Sequence, residues 1–251
     1  MKLTDNPKGN YRFLTGIAPY SSGVVAAPGY EIVHVTLPQP LPYRQGFELI
    51  AQHLTTQRRT RHALCAMELR SPRPFTFAGF AEFNQGYQKI LADWELLVEQ
   101  QNPVARTNVA PAVRPPDEPV LYAFSYTAPS DDLARAPTFV VAGAGDLVDG
   151  TLSPEAIVRA GETSVEAMTE KAAYVMGMMQ ARLAGLGVTW PDVTGVDIYT
   201  VQPLQPFLTT TVLEGIGPAA AHGVRWFYSR PPIVGLEFEM DMRGVRQEIW
   251  L

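Results

Sequence analysis

Thr138-Phe139-Val140-Val141-Ala142-Gly143, followed after a turn-rich interval by Thr163-Ser164-Val165-Glu166, decides the fold. The first run is short, apolar and β-branched, which suits a buried strand. The second opens a helix: Thr163 or Ser164 can cap it, and Glu166 falls in its first turn. Val165, Met168, Ala172, Val175, Met179 and Leu183 recur at helical spacing, and Gly185 and Gly187 offer a stop. Further on, residues 195–201 alternate as a strand and residues 204–214 form a short helix. Residues 224–228 and 236–240 close as strands around Pro231-Pro232. The order is strand, helix, strand, helix, strand, strand.

The N-terminal half repeats that order. Residues 31–37, 63–69, 104–110 and 120–126 read as strands. Residues 47–58 and 77–98 read as helices, the second with Phe80, Phe83, Tyr87, Ile90, Leu91 and Trp94 on one stripe. A polar, proline-containing linker at residues 128–132 separates the copies. The repeat predicts two α+β units, residues 1–129 and 130–251, each a mixed sheet with two helices on one face. Helices cover only one face of each sheet. The other needs cover, which predicts a homotrimer or another homo-oligomer.

Composition narrows the function. A net charge of −5 and the absence of a basic groove argue against nucleic acid as a partner. No apolar run approaches the roughly 20 residues that span a bilayer, and no apolar leader follows Met1, so a cytoplasmic location is expected. One cysteine, Cys65, excludes an internal disulfide and reads as a buried thiol. His34, His53, His62 and His222 form no metal-binding pair, and no metal or other cofactor is expected. Gly143-Ala144-Gly145 is too short for a dinucleotide loop, and no serine-hydrolase elbow is present.

Several motifs resemble those of the RidA (YjgF/UK114) family. Ala18-Pro19-Tyr20-Ser21 is similar to its Gly-Pro-Tyr-Ser start, and residues 79–87 to its Asp-Phe-Ala-x-x-Asn-x-x-Tyr helix. Pro103-Val104-Ala105-Arg106-Thr107 resembles its Pro-x-Ala-Arg-Thr/Ser strand. In the second half, residues 139–143, Gly223-Val224-Arg225 and Gly235-Leu236-Glu237-Phe238-Glu239 resemble the Val-Phe-Val-Ser-Gly, arginine and Glu-Ile-Glu strands. The resemblance implies two fused RidA-like (chorismate-mutase-like) units with ligand clefts between units. It places Arg225 at the family's carboxylate-binding arginine, Glu237 at its water-handling glutamate and Tyr20 at a cleft tyrosine. Phe227 and Asn108 stand where the family often has a cysteine, and Arg106 is the first half's copy of the arginine.

From this follows an expected metal-free hydrolytic deaminase of a small carboxylate-bearing enamine or imine, 2-aminoacrylate-like or of the 2-aminomuconate type. Arg225 would hold the carboxylate as a fork, Glu237 would position water and move a proton, and Tyr20, Phe227 and Arg106 would line the substrate site. Blander readings stand beside these. Arg225 suits a structural ion pair with Glu237 or Glu239, and Arg106 suits a relic, an internal ion pair or a second carboxylate holder. The alternatives for the whole chain are a non-catalytic, regulatory small-ligand binder and, further behind, a chorismatase-like hydrolase.

Overall fold

The computed structural model describes residues 1–131, 136–148 and 151–251. Asp132 of the expected linker and residues 149–150 of the turn-rich interval lie outside them. In chain order the first half supplies β1 (Leu3–Asn6), β2 (Tyr11–Leu14), β3 (Gly23–Ala26), β4 (Tyr30–Pro42), helix α1 (Tyr43–Thr56), β5 (Leu64–Arg70), helix α2 (Phe77–Asp93), β6 (Ala105–Pro111) and β7 (Val120–Pro129). The second supplies β8 (Phe139–Gly145), helix α3 (Val165–Leu186), β9 (Gly195–Tyr199), a broken helical stretch from Gln205 to His222, β10 (Arg225–Phe227), β11 (Ser229–Arg230), β12 (Glu239–Gly244) and β13 (Gln247–Trp250). None of the described helices is long and apolar enough to cross a membrane.

Local signals act largely as the sequence predicts. Ser164 Oγ accepts from the Ala167 amide and starts α3, and Gly187 at φ +78° ends it. Thr76 Oγ1 accepts from the Gly79 amide and starts α2. That helix stops at Asp93, short of residue 98, because Glu95 takes a left-handed φ of +57° and the Leu96 amide closes back on the Leu91 carbonyl. Phe47, Ile50 and Leu54 of α1 and Tyr87 and Leu91 of α2 pack on Val35, Met67 and Phe124 of one sheet. Met168, Ala172, Val175, Met179 and Leu183 of α3 pack on Val141, Ile198 and Met240 of the other. The molecule is therefore two fused α+β units, each a mixed sheet with helices on one face.

Two departures matter for the site. First, the sheets exchange strands. β1, β2 and β3 extend the second unit's sheet, in order β1-β2-β3-β8-β12-β9-β10, while β11 and β13 extend the first unit's, in order β11-β6-β5-β7-β4-β13. The faces without helices turn toward each other and share Phe13, Val24, Ala66, Ala105 and Ala142 as a common apolar layer. Cover within the chain thus replaces the cover that the sequence assigned to a partner. Second, the strand expected over residues 236–240 begins only at Glu239. Gly235 turns at φ +94°, and the amides of Glu237 and Phe238 both donate to Asp146 Oδ1, at 2.9 and 3.2 Å, instead of to a neighbouring strand.

Candidate active site

A cavity of about 730 Å³, counting its mouth, opens where the two units meet. Its wall takes Tyr20, Phe80, Arg106 and Asn108 from the first unit and Gly143, Arg182, Leu236 and Glu239 from the second. Arg106 lies on β6 with 2% of its surface exposed. Its guanidinium sits 4.6 Å from the Tyr87 ring centre and 4.9 Å from that of Tyr20, with Phe80 and Phe83 within 6 Å. One donor, Nη2, reaches Asn84 Oδ1 at 2.6 Å. Nε and Nη1 are buried without a hydrogen-bond partner, and so is Nδ2 of Asn108. Burial pulls the Arg106 pKa down, yet a guanidinium remains a cation. Buried donors left open cost roughly 1–3 kcal/mol each, so together on one cavity wall they suit an anionic partner.

Glu239 faces the same cavity. It is the first residue of β12, opposite Gly145 of β8 and Tyr199 of β9, and it is buried. Burial pushes its carboxyl up to about 8, Asp146 pushes the same way, and Arg182 and Arg106 pull back. A carboxyl raised in this way can hold its proton near neutral pH, which suits acid–base chemistry. Three features fix its place. Asp146 accepts the two amides just upstream and receives Lys171 Nζ at 2.7 Å, an ion pair with no exposed surface. The pairing of β12 with β8 slips between Met240, opposite Ala144, and Met242, opposite Val141, so Ala142 and Gly143 form a bulge against Asp241. Arg182 Nη1 donates to both bulge carbonyls, at 2.9 Å to Ala142 and 3.3 Å to Gly143.

The five residues expected to form the site do not all meet. Tyr20 and Arg106 line the cavity; Arg225, Phe227 and Glu237 do not. Arg225 lies half-exposed on the sheet edge because the buried carboxylate of Asp197 draws it there, with Nε to Oδ1 at 2.7 Å. Its partner is thus neither Glu237 nor Glu239. Glu237 accepts from Gln202 Nε2 at 3.0 Å, and Phe227 stacks on Tyr199 with centroids 5.1 Å apart. Between the sheets lies a second polar layer. There Glu68, Asp197 and Asp241 come close enough to share a cation among the described residues, but Arg70 and Arg243 already hold Glu68 and Asp197 at 3.2 and 2.9 Å. Burial, then Asp197 and Glu68, push the Asp241 carboxyl well up.

Glu239 and Arg182 are the cavity residues hardest to single out from sequence, yet each leaves a trace. Phe238, Met240 and Met242 alternate toward the helix side, so Glu239 must point to the other face. Arg182 sits on α3 between Met179 and Leu183 of the apolar stripe, where a solvated arginine has no place.

The family model described as 2-aminomuconate deaminase CnbZ matches residues 3–249. The 2-amino-5-chloromuconate deaminase of Comamonas testosteroni is 40% identical over 242 residues, spanning 96% of this chain and 95% of that one. Among solved structures, a chorismatase aligns with 98% of this chain and 89% of its own at 9% identity, TM-score 0.45. An Entamoeba histolytica structure described as an endoribonuclease L-PSP covers 43% of this chain and 80% of its own at 17% identity, TM-score 0.33. At those scores neither carries an argument here.

Proposed function

The chain belongs to the 2-aminomuconate deaminase CnbZ family, and from that premise we propose that its cavity hydrolyses a 2-aminomuconate-type enamine, an unsaturated dicarboxylate with its amino group beside one carboxylate. The chain is a deaminase, so the reading as a non-catalytic binder gives way. One observation carries the assignment of the site: the unpartnered buried donors of Arg106 and Asn108 line the same cavity as Glu239. In this reading the open donors of Arg106 take the carboxylate next to the amino-bearing carbon.

Glu239 handles the protons. Its carboxylic acid donates to the enamine carbon, the C=C electron pair takes that proton, and a C=N bond forms. The carboxylate left behind takes a proton from water as the water oxygen bonds to the iminium carbon. Glu239 then protonates the nitrogen of the tetrahedral adduct, and as ammonia departs it recovers the hydroxyl proton. One water is consumed, one ammonia is released, and Glu239 ends in the protonated form in which it began. Tyr20, against the Arg106 guanidinium, closes the wall on the substrate side. The test is steady-state ammonia release from 2-aminomuconate. Glu239→Gln should bind substrate and turn over about 10²–10⁴-fold more slowly. Full release by both Glu239→Gln and Arg106→Lys would remove this reading of the site.

The expected homotrimer or other homo-oligomer belongs to the same proposal. The exposed Trp226 and Tyr228 on and beside the open edge strand β10 support it. Light scattering that returns a monomer at micromolar concentration would count against it.

A further inference from the structure

Gly143 has no backbone reason to be glycine. It lies in β8 and does not take the left-handed φ that calls for glycine. Its space is another matter. A Cβ placed there would collide with Oε1 of Glu239 and would lie 3.1 and 3.2 Å from Cγ2 and Oγ1 of Thr107. Two residues further on, a Cβ on Gly145 would lie 3.0 Å from Leu236 Cδ1 and 3.7 Å from Glu239 Oε2, so it would press mainly on a flexible side chain. The bulge at Ala142 and Gly143 aims the bare Cα at the cavity, and Arg182 holds both bulge carbonyls in place. The Glu239 carboxyl therefore occupies the volume that any other residue at 143 would fill.

We propose that Gly143 is a positioning residue for the deamination: its missing side chain is the seat that keeps the Glu239 carboxyl buried between Arg106 and Arg182 and within reach of the substrate carbon. This rests on the reading of Glu239 as the proton-handling group. Alanine at 143 would tip the carboxyl toward the cavity mouth, out of line for proton transfer and into water.

The test is a double-mutant cycle on ammonia release from 2-aminomuconate, with Gly145→Ala as control. Gly143→Ala should lower kcat by about 10²-fold with KM within about 3-fold. Its alkaline limb should also move to lower pH, because a solvated carboxyl loses its proton more readily. In a Glu239→Asp background, whose shorter side chain vacates the clash, the same substitution should change kcat by less than about 3-fold. Equal cost in both backgrounds, or wild-type kcat in Gly143→Ala, would overturn the proposal. Thermal melting reads the same cycle where turnover is too slow. Gly143→Ala should lower Tm more in the wild-type background than in Glu239→Ala, where only the Thr107 contacts remain; a drop of equal size in both would also overturn it. Failure here is distinct from failure of the assigned function. If Glu239→Gln is inactive while Gly143→Ala behaves as wild type, the seat is wrong and the acid stands; if Glu239→Gln is fully active, the acid itself is wrong.

Discussion

Arg106 is caged by four aromatic rings and left with two open donors, so its replacement by lysine separates charge from geometry. Lysine keeps the cation but cannot offer donors in the two fixed directions of Nε and Nη1. Arg106→Lys should cost about 10²-fold in kcat/KM for 2-aminomuconate, or roughly 3 kcal/mol. Arg225→Lys and Glu237→Gln should keep full activity, because Asp197 and Gln202 already engage those side chains outside the cavity. Loss of ammonia release in either would return the site to the pair first expected from sequence. Glu239 gives a pH signature. In the proposed reaction its acid form donates first, and a folded pKa of about 8 sets where that form is lost. The rate should hold at neutral pH and fall as pH rises through about 8, and the limb should vanish in Glu239→Gln. The same shift bears on stability. A carboxyl whose folded pKa is raised above its unfolded value of 4.5 favours the fold below the unfolded pKa, and that contribution is lost as pH rises through about 8. Glu239→Gln should therefore melt above wild type at pH 9, with the gap closing toward pH 5.

At the scale of elements, Asp146 decides where β12 begins. Its carboxylate takes two backbone amides on one side and Lys171 on the other. Asp146→Ala would strand a buried ammonium and should cost about 3–5 kcal/mol in urea unfolding. Asp146→Asn with Lys171→Met should cost less than Asp146→Ala alone. This contact also explains what the sequence hides. Helix α3 was legible because its cap, stripe and stop lie within one stretch of chain, and the strand at residues 139–143 because it is uniformly apolar. The late start of β12 was not, because its cause sits some ninety residues upstream, at Asp146. Strands β1, β2 and β3 went unread for a related reason: each is only four residues long, and the ribbon they form joins a sheet only where β3 pairs with β8. Tyr20 and Arg106 were legible as motif residues. Arg182 was not, since a single arginine on a helix stripe carries no motif.

For the whole molecule, the strand exchange makes the two units interdependent. Each sheet is completed by segments from the other half, β1 to β3 in one direction and β11 and β13 in the other. Unfolding should follow one transition, with circular dichroism and tryptophan fluorescence coincident. Residues 1–129 and 130–251 expressed separately should each fail to fold and should recover structure on mixing; two independent melts would contradict this. The exchange also imposes a timetable on synthesis. The segment bearing β1, β2 and β3 is finished by Ala26, but the strand that must receive it starts at Phe139. At about 5–20 residues per second, that leaves roughly 5–25 s in which an apolar three-stranded ribbon waits on the nascent chain without its partner. Strand β4 waits longer still for its second neighbour, because β13 begins only at Gln247. During that interval, unpaired strand edges are open to other nascent chains, so slowed or stalled translation should cost this protein more yield than it would cost two units joined end to end.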